Sequence, residues 1–144
     1  MSRLTIDLPD RTKLILKDCN LSDDAFENCD TIESVSIRGN MISIGAGAFK
    51  ECKGLKKVSV TGDVVSIGDN AFYDCRYLVD IDLPDGLKYI EWNALAFCPK
   101  LKEIRIPDSV KGIAENAFEK SGCEESLREL IESLPASYDD GEYK

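Results

Sequence analysis

The sequence contains no histidine among its 144 residues. This absence excludes the catalytic triads, general bases and metal sites that depend on an imidazole. No apolar run approaches the roughly 20 residues that a membrane-spanning helix requires. Basic residues are also few, 18 against 27 acidic ones, which leaves a net charge of -9. Because such a chain repels phosphate backbones, we expect no nucleic acid as a partner.

The first residues do not look like a secretory signal, since no apolar segment follows the basic Arg3. We therefore expect either a cytoplasmic protein or one whose leader is not included in this sequence. The length suits a single domain over residues 1–144 with a continuous core. A monomer is the favoured state for such a domain.

What the chain does contain is a repeat. The motif Ala-Phe-x-x-Cys begins at residues 25, 48 and 71, returns at residue 94 with Leu95 in place of Phe, and ends as Ala117-Phe118. These copies are spaced 23 residues apart. A period between 20 and 50 residues is typical of a stacked repeat architecture, in which no unit can bury its apolar face alone.

Each unit carries a second apolar pattern after the Cys position. It reads Leu-x-x-Ile-x-Ile and predicts a short strand whose alternate side chains point inward. A further apolar pair closes the unit. The Ala-Phe-x-x-Cys part has helical spacing, so its apolar residues are expected on the inner face of a short helical turn. Asn70, Asn93 and Asn116 precede the Ala and are expected to cap these turns.

These motifs resemble the BspA-like leucine-rich repeats. Residues 101–118 (Leu-Lys-Glu-Ile-Arg-Ile-Pro-Asp-Ser-Val-Lys-Gly-Ile-Ala-Glu-Asn-Ala-Phe) are close to a consensus unit of that family. The resemblance implies an α/β fold, a short leucine-rich-repeat solenoid with a parallel sheet on the concave side and short helical turns opposite. It further implies a protein-interaction module, with no enzyme activity, cofactor or metal. Members of the family are often surface-associated, and adhesion to host proteins is one of their roles.

The two ends of the chain depart from the repeat, which covers residues 25–120. Residues 1–24 form a longer, atypical first unit, in which Leu4–Asp10 and Lys13–Leu16 are predicted strands. Residues 121–136 predict a capping helix, followed by an acidic tail over residues 137–144 that we expect to be flexible. Leu127, Leu130, Ile131 and Leu134 are expected on one face of this helix.

The cysteines follow the repeat. Cys29, Cys52, Cys75 and Cys98 occupy one position per unit, where we expect buried free thiols rather than disulfides or zinc ligands. Ser121 stands in the last Cys position, and Phe97 beside Cys98 predicts a local change of register in the fourth turn. Cys19 and Cys123 lie outside the ladder. We expect them to be the more exposed thiols, and a thiol-based enzyme or redox protein is the alternative that would use them.

The outward strand positions offer the best candidate surface for a protein partner. The close pair Asp80 and Asp82 there is interpreted as part of a solvated face rather than as an acid–base pair. The outward positions are Ser34, Ser36 and Arg38, then Lys57, Ser59 and Thr61, then Asp80, Asp82 and Pro84, and finally Glu103, Arg105 and Pro107.

A second candidate is an aromatic edge at Tyr89 and Trp92, because the other repeats do not require a Trp at that position. An exposed Trp beside a Tyr is a plausible anchor for a partner. The alternative is that both rings pack on the edge of their own solenoid. A further alternative makes the chain a structural fragment of a larger cell-surface protein.

Overall fold

The computed structural model describes residues 5–7, 13–18, 20–40 and 43–134, with the backbone alone at 5–7. These ranges hold nine strands and one helix. In chain order they are β1 (Thr5–Asp7), β2 (Lys13–Lys17), β3 (Ser34–Arg38), β4 (Ser43–Ile44), β5 (Lys57–Val60), β6 (Ser66–Ile67), β7 (Asp80–Asp82), β8 (Tyr89–Ile90), β9 (Gly112–Ile113) and α1 (Glu124–Ser133).

The strands form two sheets that run along the stack of repeats. The first sheet has the order β1-β2-β3-β5-β7, and the second has the order β4-β6-β8-β9. Neighbours are parallel except β1 and β2. Val35 lies opposite Val58, and Val58 opposite Ile81, so neighbouring strands are offset by one 23-residue repeat. The predicted parallel-sheet solenoid is confirmed.

The core lies between the two sheets and is built from identical positions of successive repeats. Phe26 stacks on Phe49 with ring centroids 5.4 Å apart, and Phe49 stacks on Phe72 at 5.3 Å. Leu95 takes the next place and is fully buried, as Phe118 nearly is one repeat later. Each such side chain contributes about 1.5–3 kcal/mol by leaving water, which makes this column a main source of stability.

The Ala-Phe-x-x-Cys segments were expected to form short helical turns, but they form non-helical turns. The N–H of Ala48 donates to the carbonyl of Gly45 in its own turn, at 3.1 Å, whereas the N–H of Phe49 donates to Ala71 in the next repeat, at 2.8 Å. Because alternate N–H groups bond across repeats, an α-helical ladder cannot propagate. Each of the five turns contains one left-handed residue, and the first four are also preceded by one. Those within the turns are Asn28, Glu51, Asp74, Phe97 and Lys120, and those before them are Asp24, Gly47, Asn70 and Asn93.

The asparagines before the turns therefore serve another purpose than capping. Asn70 has φ 58° and Asn93 has φ 55°, values that Asn tolerates better than most residues. The side-chain oxygen of Asn116 accepts the N–H of Asn93, 3.2 Å away in the neighbouring repeat. The predicted caps at Asn70, Asn93 and Asn116 are wrong, because no helix begins after any of these three residues.

The fourth turn keeps the register of the others. Leu95 and Cys98 are fully buried in the Phe and Cys positions. Phe97 takes the left-handed position with φ 60°, and its half-buried ring packs edge-on against Tyr73. The predicted change of register at Phe97 is therefore wrong.

The first sheet narrows along the stack, from five residues in β2 and β3 to four in β5 and three in β7. The N–H of Thr61 donates to the carbonyl of Ile37 at 2.8 Å, but Pro84 and Pro107 occupy the same position and have no N–H to donate. No strand forms around Ile104 and Ile106, so the strand expected there is wrong.

The ends of the stack differ from its middle. At the start β1 pairs antiparallel with β2, which confirms the strand expected over Lys13–Leu16; part of Leu4–Asp10 lies outside the described residues. At the other end Leu127 is buried, and Ile131 and Leu134 pack on the core. Leu130 is 37% exposed, so its predicted place on the packed face is wrong. Residues 135–144 lie outside the described part of the chain.

The helix α1 has ten residues. It is the only helix within the described residues, and neither its length nor its apolar content would carry it across a bilayer.

Candidate functional site

The outward face of the first sheet brings the predicted surface residues into rows across β2, β3, β5 and β7. Lys13, Ser34, Lys57 and Asp80 stand opposite one another in one row. Ser36, Ser59 and Asp82 form the next row. Neighbouring strands are about 4.8 Å apart, so side chains within a row can act on one ligand together. We call this surface the sheet face. It also includes Arg38 and Thr61, at the edge where β3 and β5 end, and Glu103 and Arg105, which lie beyond β7.

The sheet face is divided by charge. The half on β2, β3 and β5 carries the basic residues Lys13, Lys17, Arg38 and Lys57, all exposed. The half on and beyond β7 carries Asp80, Asp82 and Glu103 together with Arg105. Arg105 is neutralised locally by Asp85, with 3.3 Å between guanidinium and carboxylate. The sheet face therefore presents both signs of charge in adjacent halves rather than one uniform charge.

Two shallow cavities open on the acidic half. One, of about 420 Å³, lies between β5 and β7 and is lined by Ser59, Thr61, Asp82, Pro84 and Arg105 among others. The other, of about 370 Å³, is lined by Asp80, Asp82, Glu103 and Arg105 and their inward neighbours. Pro84 and Pro107 are themselves buried, so their expected place among the exposed positions is wrong.

Lys13 and Lys17 belong to the sheet face, although sequence reasoning did not include them among the candidate residues. They lie in β2, inside the atypical first unit, where the 23-residue pattern gives no alignment. The alternation in Lys13-Leu-Ile-Leu-Lys17 could have identified them, because it puts both lysines on the side of the strand opposite the buried Leu14 and Leu16.

Tyr89 and Trp92 are not on the sheet face. Tyr89 lies in β8 of the second sheet, opposite Ser66 and Gly112. Trp92 is half-buried and packs against the core, while its backbone N–H donates to the carboxylate of Asp69 at 3.2 Å. The structure thus separates the two candidate surfaces, and it favours a packed Trp over a fully exposed anchor.

Among the described residues, the most exposed large apolar side chains are elsewhere, at Tyr77 (50% exposed) and Val79 (55%). Lys100 lies over the ring of Tyr77 at 5.8 Å from its centroid, and Lys50 lies over the ring of Tyr73 at the same distance. These contacts cover part of each ring with the repeat's own side chains.

The thiols of the ladder are free, as predicted. Cys52, Cys75 and Cys98 are fully buried, and Cys29 is half-buried. Desolvation by burial raises the pKa of the Cys52 and Cys98 thiols to about 12, and it raises the pKa of Cys75 as well. Since the thiolate is the nucleophile, these groups are protonated and unreactive near neutral pH.

Cys123 does not behave as expected. It is 1% exposed, and burial raises its pKa to about 11. It lies directly before α1, in the position where the helix closes over the last repeat. The expected exposed, reactive thiol at Cys123 is therefore wrong, and Cys19 lies outside the described residues.

Known structures share this fold. A leucine-rich repeat protein from Eubacterium ventriosum has a TM-score of 0.67 and 26% identity over 70% of this chain and 27% of its own. One from Bacteroides ovatus has a TM-score of 0.60 and 25% identity over 84% of this chain and 32% of its own. The leucine-rich repeat protein of T. pallidum has a TM-score of 0.58 and 27% identity over 78% and 50%.

This chain thus spans half or less of the length of each of these relatives. No protein with a curated function matches it. The BspA type leucine rich repeat region family matches residues 17–130 in six copies. Together with the 23-residue register of both sheets, this match shows that the chain belongs to the BspA-type leucine-rich-repeat family.

Proposed function

We propose that this protein is a non-enzymatic interaction module that binds a protein partner through the sheet face. The observation that carries the proposal is the charge division of that face, with exposed basic side chains on β2, β3 and β5 and exposed acidic side chains on and beyond β7. Solenoids present extended surfaces of this kind, and charge complementarity gives them selectivity and fast association.

The thiol chemistry of the chain supports a binding role over a redox or thiol-enzyme role. Four of the described cysteines are buried with pKa values raised by desolvation. Cys29 is the described thiol with partial exposure, and its sulfur lies 4.0 Å from the hydroxyl of Thr31. A nucleophilic cysteine needs a base or a positive charge that lowers its pKa, whereas burial raises the pKa of Cys52, Cys75, Cys98 and Cys123.

Site-directed photo-crosslinking with matched serines tests the proposed surface. A photoreactive residue at Ser59 reports on the sheet face, whereas one at Ser66 reports on the second sheet; both serines are half-buried and lie in short parallel strands. In extracts of the source cells, we expect a specific protein adduct at position 59 only. That protein is then purified, and its binding should be lost in Ser59→Tyr and kept in Ser66→Tyr. Equal crosslinking at both positions, or binding that survives Ser59→Tyr, would contradict the proposal.

Trp92 provides a second readout, because it is the chain's single Trp. Because Trp92 lies beside the second sheet, a partner that binds the sheet face should leave the fluorescence emission of Trp92 unchanged. A shift of Trp92 emission on binding would instead support the edge formed by Tyr89 and Trp92, the alternative surface.

The cellular role of the module remains part of the proposal. Since the related structures are longer than this chain, a role as a repeat segment of a larger surface protein, with adhesion as its purpose, is the second candidate. A cytoplasmic partner and a host surface protein are distinguished by the identity of the crosslinked protein.

A further inference from the structure

The basic half of the sheet face contains a cavity of about 280 Å³. Three cationic side chains, Lys13, Arg38 and Lys57, line it together with the hydroxyl-bearing Ser34, Ser36 and Ser59. The small serines leave the space, and the long cationic side chains surround it. No carboxylate of the described residues lines this cavity.

The strand register explains why the cations converge. Lys13 and Lys57 stand on the two strands that flank Ser34, so their Cα atoms are about 10 Å apart, twice the strand spacing. Arg38 stands at the end of the same central strand. Its Nε donates to the hydroxyl of Ser36 at 3.0 Å, which orients the guanidinium and leaves its terminal N–H groups available.

Among the residues that the structure describes, no ion pair compensates the charges of these cations. In the described part of the chain the salt bridges are Lys56–Glu33, Arg76–Asp74, Arg105–Asp85 and Arg128–Glu125, and none involves Lys13, Arg38 or Lys57. Of the carboxylates beside the cavity, Asp18 accepts the backbone N–H of Asn40 at 3.0 Å. On β7, Asp80 stands directly opposite Lys57 and Asp82 stands directly opposite Ser59. The chain as a whole has a net charge of -9, so this cationic cluster is opposite in sign to the overall charge.

We propose that this cavity binds a tetrahedral oxyanion, a phosphate or sulfate ester carried by the partner. A guanidinium fork and two ammonium groups suit several anionic oxygens at once, and serine hydroxyls donate to the oxygens that remain. This inference rests on the proposed function, because it names the chemical group that the sheet face recognises. The acidic half then faces the basic residues of the same partner.

Titration of the isolated full chain tests the site without any partner. Inorganic phosphate, phosphotyrosine and tyrosine O-sulfate are added at constant ionic strength, and backbone amide shifts are followed by NMR. We expect saturable shifts at Ser34, Ser36 and Ser59, absent when chloride alone is added. Tighter binding of one ester identifies the source of the oxyanion, and saturable binding of either ester supports the site.

Neighbouring lysines supply a matched control. Lys57→Gln and Arg38→Gln should each weaken binding about tenfold or more, since each removes a charged hydrogen-bond donor. Lys56→Gln removes the same charge one residue away, but Lys56 pairs with Glu33 and does not line the cavity. It should leave the affinity unchanged. Equal losses in Lys56→Gln and Lys57→Gln would show diffuse attraction and overturn the site, as would the absence of saturable shifts.

The two proposals fail separately. A protein adduct at Ser59 with no oxyanion binding would overturn the oxyanion site and leave the proposed function standing. Oxyanion binding that depends on Lys57 and Arg38, without any adduct at Ser59, would support the site and count against a protein partner on the sheet face. Unfolding curves of the three Gln variants should superimpose on that of the parent, because all three side chains are exposed.

Discussion

The thiol of Cys98 donates a hydrogen bond to the backbone carbonyl of Phe72, 3.3 Å away and one repeat earlier in the stack. Cys75 makes the same contact with Phe49 at 3.2 Å, and Cys52 makes it with Phe26 at 3.1 Å. Ser121, which stands in the last Cys position, donates its hydroxyl to Leu95 in the same way. The Cys position of each repeat thus favours a small side chain with a hydrogen-bond donor. The hydrogen bond from this side chain joins neighbouring repeats.

Replacing Cys75 should therefore depend on the donor as well as on size. Cys75→Ser keeps a donor and should lower the free energy of unfolding by about 1 kcal/mol or less. Cys75→Val puts a methyl group where the sulfur lies 3.2 Å from the Phe49 carbonyl and should cost about 1–3 kcal/mol. Urea unfolding under reducing conditions measures both. A Val variant more stable than the Ser variant would mean that the position is simply apolar.

Stability should decline in alkali because of the buried thiols. An unfolded thiol has a pKa of about 8.5, while burial raises the pKa of Cys98 to about 12 in the folded state. Between these values the unfolded chain loses a proton that the folded chain keeps. The free energy of unfolding therefore falls with rising pH by about 1.4 kcal/mol per pH unit for this thiol, and it is independent of this thiol below about pH 8.

Comparing the parent with Cys98→Ser isolates that contribution from other groups that titrate in alkali. The two urea-unfolding stabilities should run parallel below pH 8 and converge above pH 9, because the serine does not titrate. Profiles that stay parallel up to pH 10.5 would mean that the thiol is not desolvated.

Gly62 and Gly86 have nearly equal φ values but different surroundings. Replacing each by Ala therefore distinguishes the cost of the backbone conformation from the cost of a steric clash. Gly62 (φ 103°) lies so close to the preceding repeat that an added Cβ would be 2.2 Å from the carbonyl oxygen of Gly39. Gly86 (φ 104°) has no atom within 4 Å of such a Cβ. Gly86→Ala should cost about 1–2 kcal/mol through its backbone conformation alone. Gly62→Ala should cost at least about 1–3 kcal/mol more in thermal or urea unfolding. Equal losses would show that the repeats can separate locally.

The closing role of α1 can be tested with two leucines three residues apart. Leu127 is buried against the last repeat, and Leu127→Ala should lower the free energy of unfolding by about 2 kcal/mol or more. Leu130 is the exposed control, and Leu130→Ala should change stability by no more than about 0.5 kcal/mol. If the two variants lose equal stability in urea unfolding, α1 does not cover the core as described.

Much of the fold follows from the repeat alone. The 23-residue period predicted the parallel register, and the alternation of apolar residues predicted the inward positions Val35, Val58 and Ile81, all buried. The strand at Lys13–Leu16 also followed from local alternation. Such patterns are readable because burial of one face constrains every second residue of a strand.

The conformation of the turns was not predictable from spacing. The same spacing of Ala, Phe and Cys occurs both in a helical turn and in a turn that contains left-handed residues. The hydrogen bond from the N–H of Phe49 to the carbonyl of Ala71 distinguishes the two conformations, and it joins separate repeats. The burial of Cys123 depends likewise on where α1 packs.

Stacking of the chain follows from the repeat pattern, because no 23-residue unit can cover its own apolar residues and each must lie against the next. The repeat pattern also determined the identity of the inward column, from Phe26 to Phe118. Which outward side chains lie next to one another depends on how the strands pair in the folded chain. Lys13 belongs to an irregular first unit, and it reaches the same cavity as Lys57 because β2, β3 and β5 pair in one register. That adjacency comes from backbone hydrogen bonds between residues far apart in the chain, which no local pattern encodes.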